Sequence, residues 1–246
     1  MRAKRILVLG VVVAALGAAS VAQAQGAQFW HDARADALGT QIAGFPVTVA
    51  QEDDDAEWAQ ILCSLGQCDG GENVLGFTTI AVPPEHPWYH VLFLSRMTSL
   101  GLEELLQGRQ DDLWGETIGA FALIHEAYHQ RLSSGDEGRV NACALRDFPY
   151  WLEYAFGVPQ TVTTTMTTYE TVAHTTTTTG YVWKWRRVHG KRQRVRVKVT
   201  VKTTRYVQVP HTTTATEPNP IFQTMVANAQ NFYSQQLPPY NTGTCS

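Results

Sequence analysis

The sequence predicts an α+β fold: a helical domain with a small sheet, plus an inserted β-ribbon. Three observations predict it. Residues 98–156 show helical periodicity, residues 45–94 hold three short strand-like runs, and composition changes abruptly at Thr161.

The first segment is set apart from the fold. Arg2, Lys4 and Arg5 precede an apolar run from Ile6 to about Ala19, and Ala22-Gln23-Ala24 follows with small residues. This is the layout of a secretory signal peptide over residues 1–24. The run is short for a membrane span, so cleavage is expected, and with it a secreted or cell-envelope location and no integral membrane protein. No cysteine stands at the cleavage point to take a lipid.

Export puts the four cysteines in an oxidising compartment. Four cysteines allow three pairings. Cys63 and Cys68 flank Ser-Leu-Gly-Gln and can close a small loop, leaving Cys143 for Cys245; this is the favoured pairing.

Strands are expected at Phe45–Val49, Gly76–Val82 and Trp88–Leu94, separated by acidic Glu52–Asp55 and the Asp69-Gly70-Gly71 turn. Thr98 to Gln107 reads as a short helix with Leu100, Leu102, Leu105 and Leu106 apolar. A longer helix spans about Asp111 to Leu132. Its first acids suit the positive helix end, and Leu113, Ile118, Phe121, Ile124 and Tyr128 mark one apolar stripe. Gly135 is a natural stop. A further helix starts near Ser134 and runs toward Pro149, with Trp151–Phe156 helical in style. Helical pattern returns at Asn219–Gln236.

Between those helices the chain is different. Twelve of the nineteen residues from Thr161 to Thr179 are Thr. Residues 181–206 hold ten of the nineteen Lys and Arg and no acid, whereas all twenty-two acids lie elsewhere. The domains are therefore read as 25–160 with 217–246, and 161–216 as an insert.

Tyr181, Trp183 and Trp185 alternate with Val182, Lys184 and Arg186, and Val195, Val197, Val199 and Val201 alternate with polar residues. Period 2 means strands. A two-residue turn at His189-Gly190 would set Trp185 opposite Arg194. A three-residue loop, His189-Gly190-Lys191, would set Trp185 opposite Val195 and Trp183 opposite Val197, and is preferred. It would also place Lys184 against Arg196 and Arg186 against Arg194, a like-charge cost.

The chemistry concentrates in His125-Glu126-Ala127-Tyr128-His129. Residues four apart share a helix face, so His125 and His129 can direct two imidazoles at one cation. Neutral imidazole suits zinc. Glu126 stands beside the metal, where a carboxylate can take a proton from metal-bound water. A third protein ligand is needed. Glu137 is the candidate, eight residues past His129; Asp136 is its nearest rival. Ser134-x-x-Glu137 also fits a capping box, which would spend Glu137 on backbone amides. His174, His189 and His211 lie in the insert, and His31, His86 and His90 precede the motif.

Over about residues 118–146 the chain resembles the zincin metallopeptidase superfamily, in its gluzincin form. H-E-x-x-H is carried by His125, Glu126 and His129, and Asp136–Ala144 is similar to the helix that carries the third ligand. The longer metzincin motif is absent, because no third His follows Gly135. The resemblance implies a zinc-dependent hydrolase of peptide bonds, with a protein or peptide substrate, zinc on His125, His129 and Glu137, and Glu126 as catalytic base. It also implies an antiparallel edge strand beside the cleft, for which Trp88–Leu94 stands nearest. No oxyanion-stabilising residue can be assigned; Tyr154 and Tyr240 are the tyrosines considered.

A second reading makes the zincin-like domain a catalytically idle scaffold. Its basic ribbon, residues 181–206, would then bind an anionic cell-envelope or protein partner, or the chain's own acidic body. Nucleic acid is a poor partner for an exported chain that is otherwise acidic.

Overall fold

A computed structural model describes residues 29–52, 54–64, 74–80 and 82–245. The expected signal peptide, the Asp69-Gly70-Gly71 turn and Cys68 of the expected Cys63–Cys68 loop lie outside the described residues. The chain divides into two compact units, residues 1–161 with 218–246, and residues 162–217.

The first unit is α+β. In chain order it contains α1 (Ala33–Ala43), β1 (Thr48–Gln51), α2 (Asp55–Ser64), β2 (Gly76–Thr78), β3 (Val91–Leu94), α3 (Arg96–Leu106), α4 (Leu113–Leu132), α5 (Glu137–Tyr154) and, after the ribbon, α6 (Pro220–Gln235). The sheet order is β1-β3-β2. β1 runs parallel to β3, with Val49 beside Leu92, and β2 runs antiparallel to it, with Phe77 beside Phe93.

α4 organises the unit. It begins at Asp112, whose carboxylate accepts from the Gly115 amide, and ends at Ser133 in the left-handed region. The sequence marks one apolar stripe on it, but every residue from Glu116 to Gln130 is buried. A helix covered on all sides needs no polar face. α1, α3, α5, α6, β2 and β3 supply the cover. α3 crosses at glycines: a Cβ on Gly119 would collide with the Leu102 amide nitrogen, and one on Gly101 with the Gly115 carbonyl. α6 closes another side through Phe232, whose ring lies 5.7 Å from Phe121.

β3 is buried on both faces. Leu92 and Leu94 join the main core against α4. Phe93 joins a second cluster with Phe77, Trp58, Ile61, Leu62 and Trp88 under α2. Phe77 and Phe93 stack at 4.5 Å. Double burial makes Val91–Leu94 a continuous apolar run.

Several boundaries differ from the sequence reading. The first strand lies later, at Thr48–Gln51, because Thr40 Oγ1 and the Val47 backbone bind each other at the close of the α1–β1 turn. The second ends at Thr78 and the third begins only at Val91, since residues 84–90 form turns and His90 is left-handed (φ 57°). α1 and α2 were not expected. α1 carries readable caps, with Asp32 accepting from the Arg34 amide and Gly44 left-handed after the last turn. α5 continues through Pro149 to Tyr154.

Cys143 and Cys245 form a disulfide, which ties the C-terminal tail to α5 and is consistent with an extracellular protein. Cys63 is also disulfide-bonded. No helix of the described residues is long and apolar enough to cross a membrane.

The second unit is a two-stranded ribbon of β4 (Thr161–Val188) and β5 (Lys191–Pro218). Cross-strand threonine contacts hold one register along it, with Thr163 at Thr216, Thr167 at Thr212 and Thr175 at Thr204. Carried to the turn, this register puts Trp185 opposite Arg194, whose guanidinium lies 5.9 Å from the Trp185 ring. The preferred three-residue loop is therefore corrected to a two-residue turn. His189 (φ 49°) and Gly190 (φ 81°) are both left-handed, the backbone whose twist matches the flanking strands. Lys184 and Arg186 consequently face Val195 and Gln193, not arginines.

Candidate metal centre

His125 and His129 lie one turn apart near the C-terminal end of α4, and both are fully buried. Their Nε2 atoms are 2.8 Å apart. Glu137 is the first residue of α5, and its Oε2 lies 3.2 Å from His125 Nε2 and 3.5 Å from His129 Nε2. Ligand atoms of these three residues all fall within 4.8 Å of one another, so the group could hold a metal ion.

The turn between the helices aims Glu137. The Ser134 hydroxyl accepts from the Asp136 amide, and the Asp136 carboxylate accepts from the Arg139 amide at 3.0 Å. Asp136 is thus the helix cap. In the competing capping-box reading Ser134 would cap the helix, but Asp136 does so, and this rival ligand is occupied there. Glu137 is left to turn toward the histidines.

Second contacts orient the donors. His129 Nδ1 donates to the Ser134 carbonyl at 2.6 Å. A carbonyl only accepts, so Nδ1 carries the proton and Nε2 presents its lone pair to the site. Tyr128 donates to Asp147 at 2.5 Å and accepts from Trp151 Nε1 at 3.2 Å, which ties α4 to α5. Asn141 on α5 donates to the Tyr240 carbonyl at 3.1 Å and fixes the tail beside this helix.

The electrostatics suit a cation. Burial, then the neighbouring His129, depress the His125 pKa and favour neutral imidazole, against the pull of Glu137 and Asn141. Burial raises the Glu137 pKa; when His125 and His129 carry protons on Nε2, their hydrogen bonds and charge outweigh it and hold the carboxyl at about 2.

Glu126 differs. It is fully buried, its Oε1 lies 4.0 Å from His125 Nε2, and neither carboxyl oxygen has a hydrogen-bond partner among the described residues. Burial, then the charge on Glu137, push its pKa well above the usual carboxylate range. A buried carboxyl without partners is costly unless a small ligand completes it. Two imidazole nitrogens and one carboxylate oxygen, with an unpartnered carboxyl at their side, fit a divalent ion and a solvent molecule.

Other expected participants lie elsewhere. The edge strand beside α4 is β2, not Trp88–Leu94, because β3 is held between β1 and β2. A Cβ on Gly76 of β2 would come within 3.2 Å of the Glu126 side chain. Tyr154 is exposed at the far end of α5, stacked on Tyr150. Tyr240 lies closer to the centre, and burial and then the Glu137 charge raise its pKa. His31 bonds the Val49 carbonyl, His90 stacks on Tyr89 and His86 accepts from the Trp88 amide. Of the ribbon histidines, His211 pairs with Glu170.

No known protein family, curated protein or solved structure matches the chain. The site's chemistry therefore carries the functional argument alone.

Proposed function

We propose that this chain is an exported, zinc-dependent peptidase of the zincin type, and that His125, His129 and Glu137 hold the metal. The observation that carries this reading is the position of Glu126. It is a buried carboxyl with two unpartnered oxygens, set beside three converging donor atoms.

Zinc, when bound, supplies a Lewis acid that polarises a carbonyl and lowers the pKa of a coordinated water to about 7. The protein's own residues do the rest. His129, fixed by the Ser134 carbonyl, offers Nε2 in one orientation. Glu137 adds one negative charge, balancing part of the cation's. Glu126 Oε1 or Oε2 takes a proton from water and returns it to the departing amine, for which a carboxyl with a raised pKa is matched. Gly76 leaves the space in which the Glu126 side chain lies.

The test is metal analysis with an activity assay on an unstructured protein substrate. One zinc per chain, cleavage abolished by chelation and restored by zinc, and a Glu126→Gln variant that keeps zinc but loses cleavage support the reading. Purified protein with clearly less than one zinc per chain, or cleavage that survives Glu126→Gln, overturns it.

A further inference from the structure

The turn end of the ribbon is built unlike its threonine-rich part. On one face of β4 stand Tyr181, Trp183 and Trp185, which are 57%, 62% and 63% exposed. The register found above sets Lys198, Arg196 and Arg194 directly across from them. The Arg196 guanidinium lies 4.4 Å from the Tyr181 ring and that of Arg194 5.9 Å from the Trp185 ring. Aromatic rings and cations therefore interleave on a single face, in cation–π contact. The opposite face carries a row of valines, Val182, Val195, Val197, Val199 and Val201, with Lys184 and Arg186 beside them toward the turn; Val182 and Val201 are 41% and 53% exposed. Residues 181–206 contain no acid.

A two-stranded ribbon has no core in which to bury such side chains, so apolar groups on both faces stay in water at a cost. Charge in the segment is of one sign, so its partner is anionic. A soluble polyanion lying on the aromatic–cationic face would leave the valine row wet. The interfacial layer of a bilayer surrounds an inserted ribbon end and covers both faces. Trp and Tyr favour that layer because their rings are apolar and their N–H or O–H is polar. Arg and Lys reach from it to lipid phosphates.

We infer that residues 181–201 form a membrane-docking tip that seats Trp183 and Trp185 in the headgroup layer of an anionic phospholipid bilayer, with Arg192, Arg194, Arg196 and Lys198 on the lipid phosphates. This inference does not depend on the metal centre.

The test uses the full chain with vesicles of phosphatidylcholine mixed with phosphatidylglycerol, and with phosphatidylcholine alone. Co-sedimentation and quenching of tryptophan emission by acyl-brominated lipid are both measured. Binding to the anionic vesicles, weakened by salt, and quenching of the wild type are expected. Trp183→Thr with Trp185→Thr keeps β propensity; it should lose the excess quenching and bind on the order of tenfold more weakly. Arg194→Gln with Arg196→Gln should weaken binding by about fivefold per charge removed. Glu126→Gln should bind like the wild type, which separates failure here from failure of the hydrolytic reading. Absence of binding to anionic vesicles overturns the inference. So does binding that the tryptophan pair does not affect, or retention on dextran sulfate without retention on vesicles. Unchanged melting midpoints of the ribbon variants exclude misfolding as the cause.

Discussion

Gly76 and Glu126 fit together where the sheet meets the central helix. A Cβ at position 76 would lie 2.8 Å from the Phe93 carbonyl oxygen and 3.2 Å from Glu126 Cγ and Oε1. The strand can approach α4 this closely only because residue 76 has no side chain. The approach buries Glu126 and so shapes its acidity.

Gly76→Val should therefore harm the centre without touching a metal donor. Overpacking of this kind costs roughly 1–3 kcal/mol. Peptide cleavage should fall by at least about tenfold while zinc content stays near that of the wild type. Calorimetry and metal analysis check both parts, and a variant with full activity contradicts the role given to this contact.

Glu126→Gln should stabilise the metal-free protein near neutral pH. The folded-state pKa of Glu126 is raised, so its stabilising contribution is complete below the unfolded value near 4.5 and is lost as pH rises through the raised value. Gln is neutral throughout and escapes that loss. A gain in stability is expected at pH 7, shrinking toward zero as pH falls to about 4.5. Melting curves of both apo-proteins across this range measure it.

The two neighbouring acids should behave oppositely. Glu137→Gln should cut zinc affinity by about 100-fold or more, read by competition with a chromophoric chelator. Asp136→Ala should leave zinc content intact and cost about 1 kcal/mol of stability, the usual loss of a helix cap. Zinc loss in Asp136→Ala would reverse the assignment.

Replacing Cys143 and Cys245 together by Ser should cost roughly 2–5 kcal/mol, since the bond closes a loop with a sequence separation of 102. It should also free the tail that Asn141 holds through Tyr240. Faster proteolysis at residues 237–245 than in the wild type is the expected sign.

The central helix was legible because its signals are local. Asp112 at one end, Gly135 beyond the other, and dense apolar residues between them need no tertiary information. The histidine pair was legible for the same reason, since a spacing of four fixes a shared face. α1 was missed although Asp32 and Gly44 cap it, because its apolar residues are mostly alanine and glycine and give little periodic contrast. The strand limits were misplaced because double burial and a left-handed His90 hide where the extended backbone begins.

The sequence by itself determined that two imidazoles and a carboxylate share one helix turn, that an acid stands just beyond, and that a basic aromatic ribbon interrupts the helices. Spacing along a regular backbone is enough for each of these. Only the tertiary structure decided that Asp136 caps α5 while Glu137 turns inward, that β2 is the strand against Glu126, and that Trp185 faces Arg194. Those choices depend on how one backbone meets another. A one-residue difference in a turn, or a missing Cβ at a crossing, reverses which side chain points where.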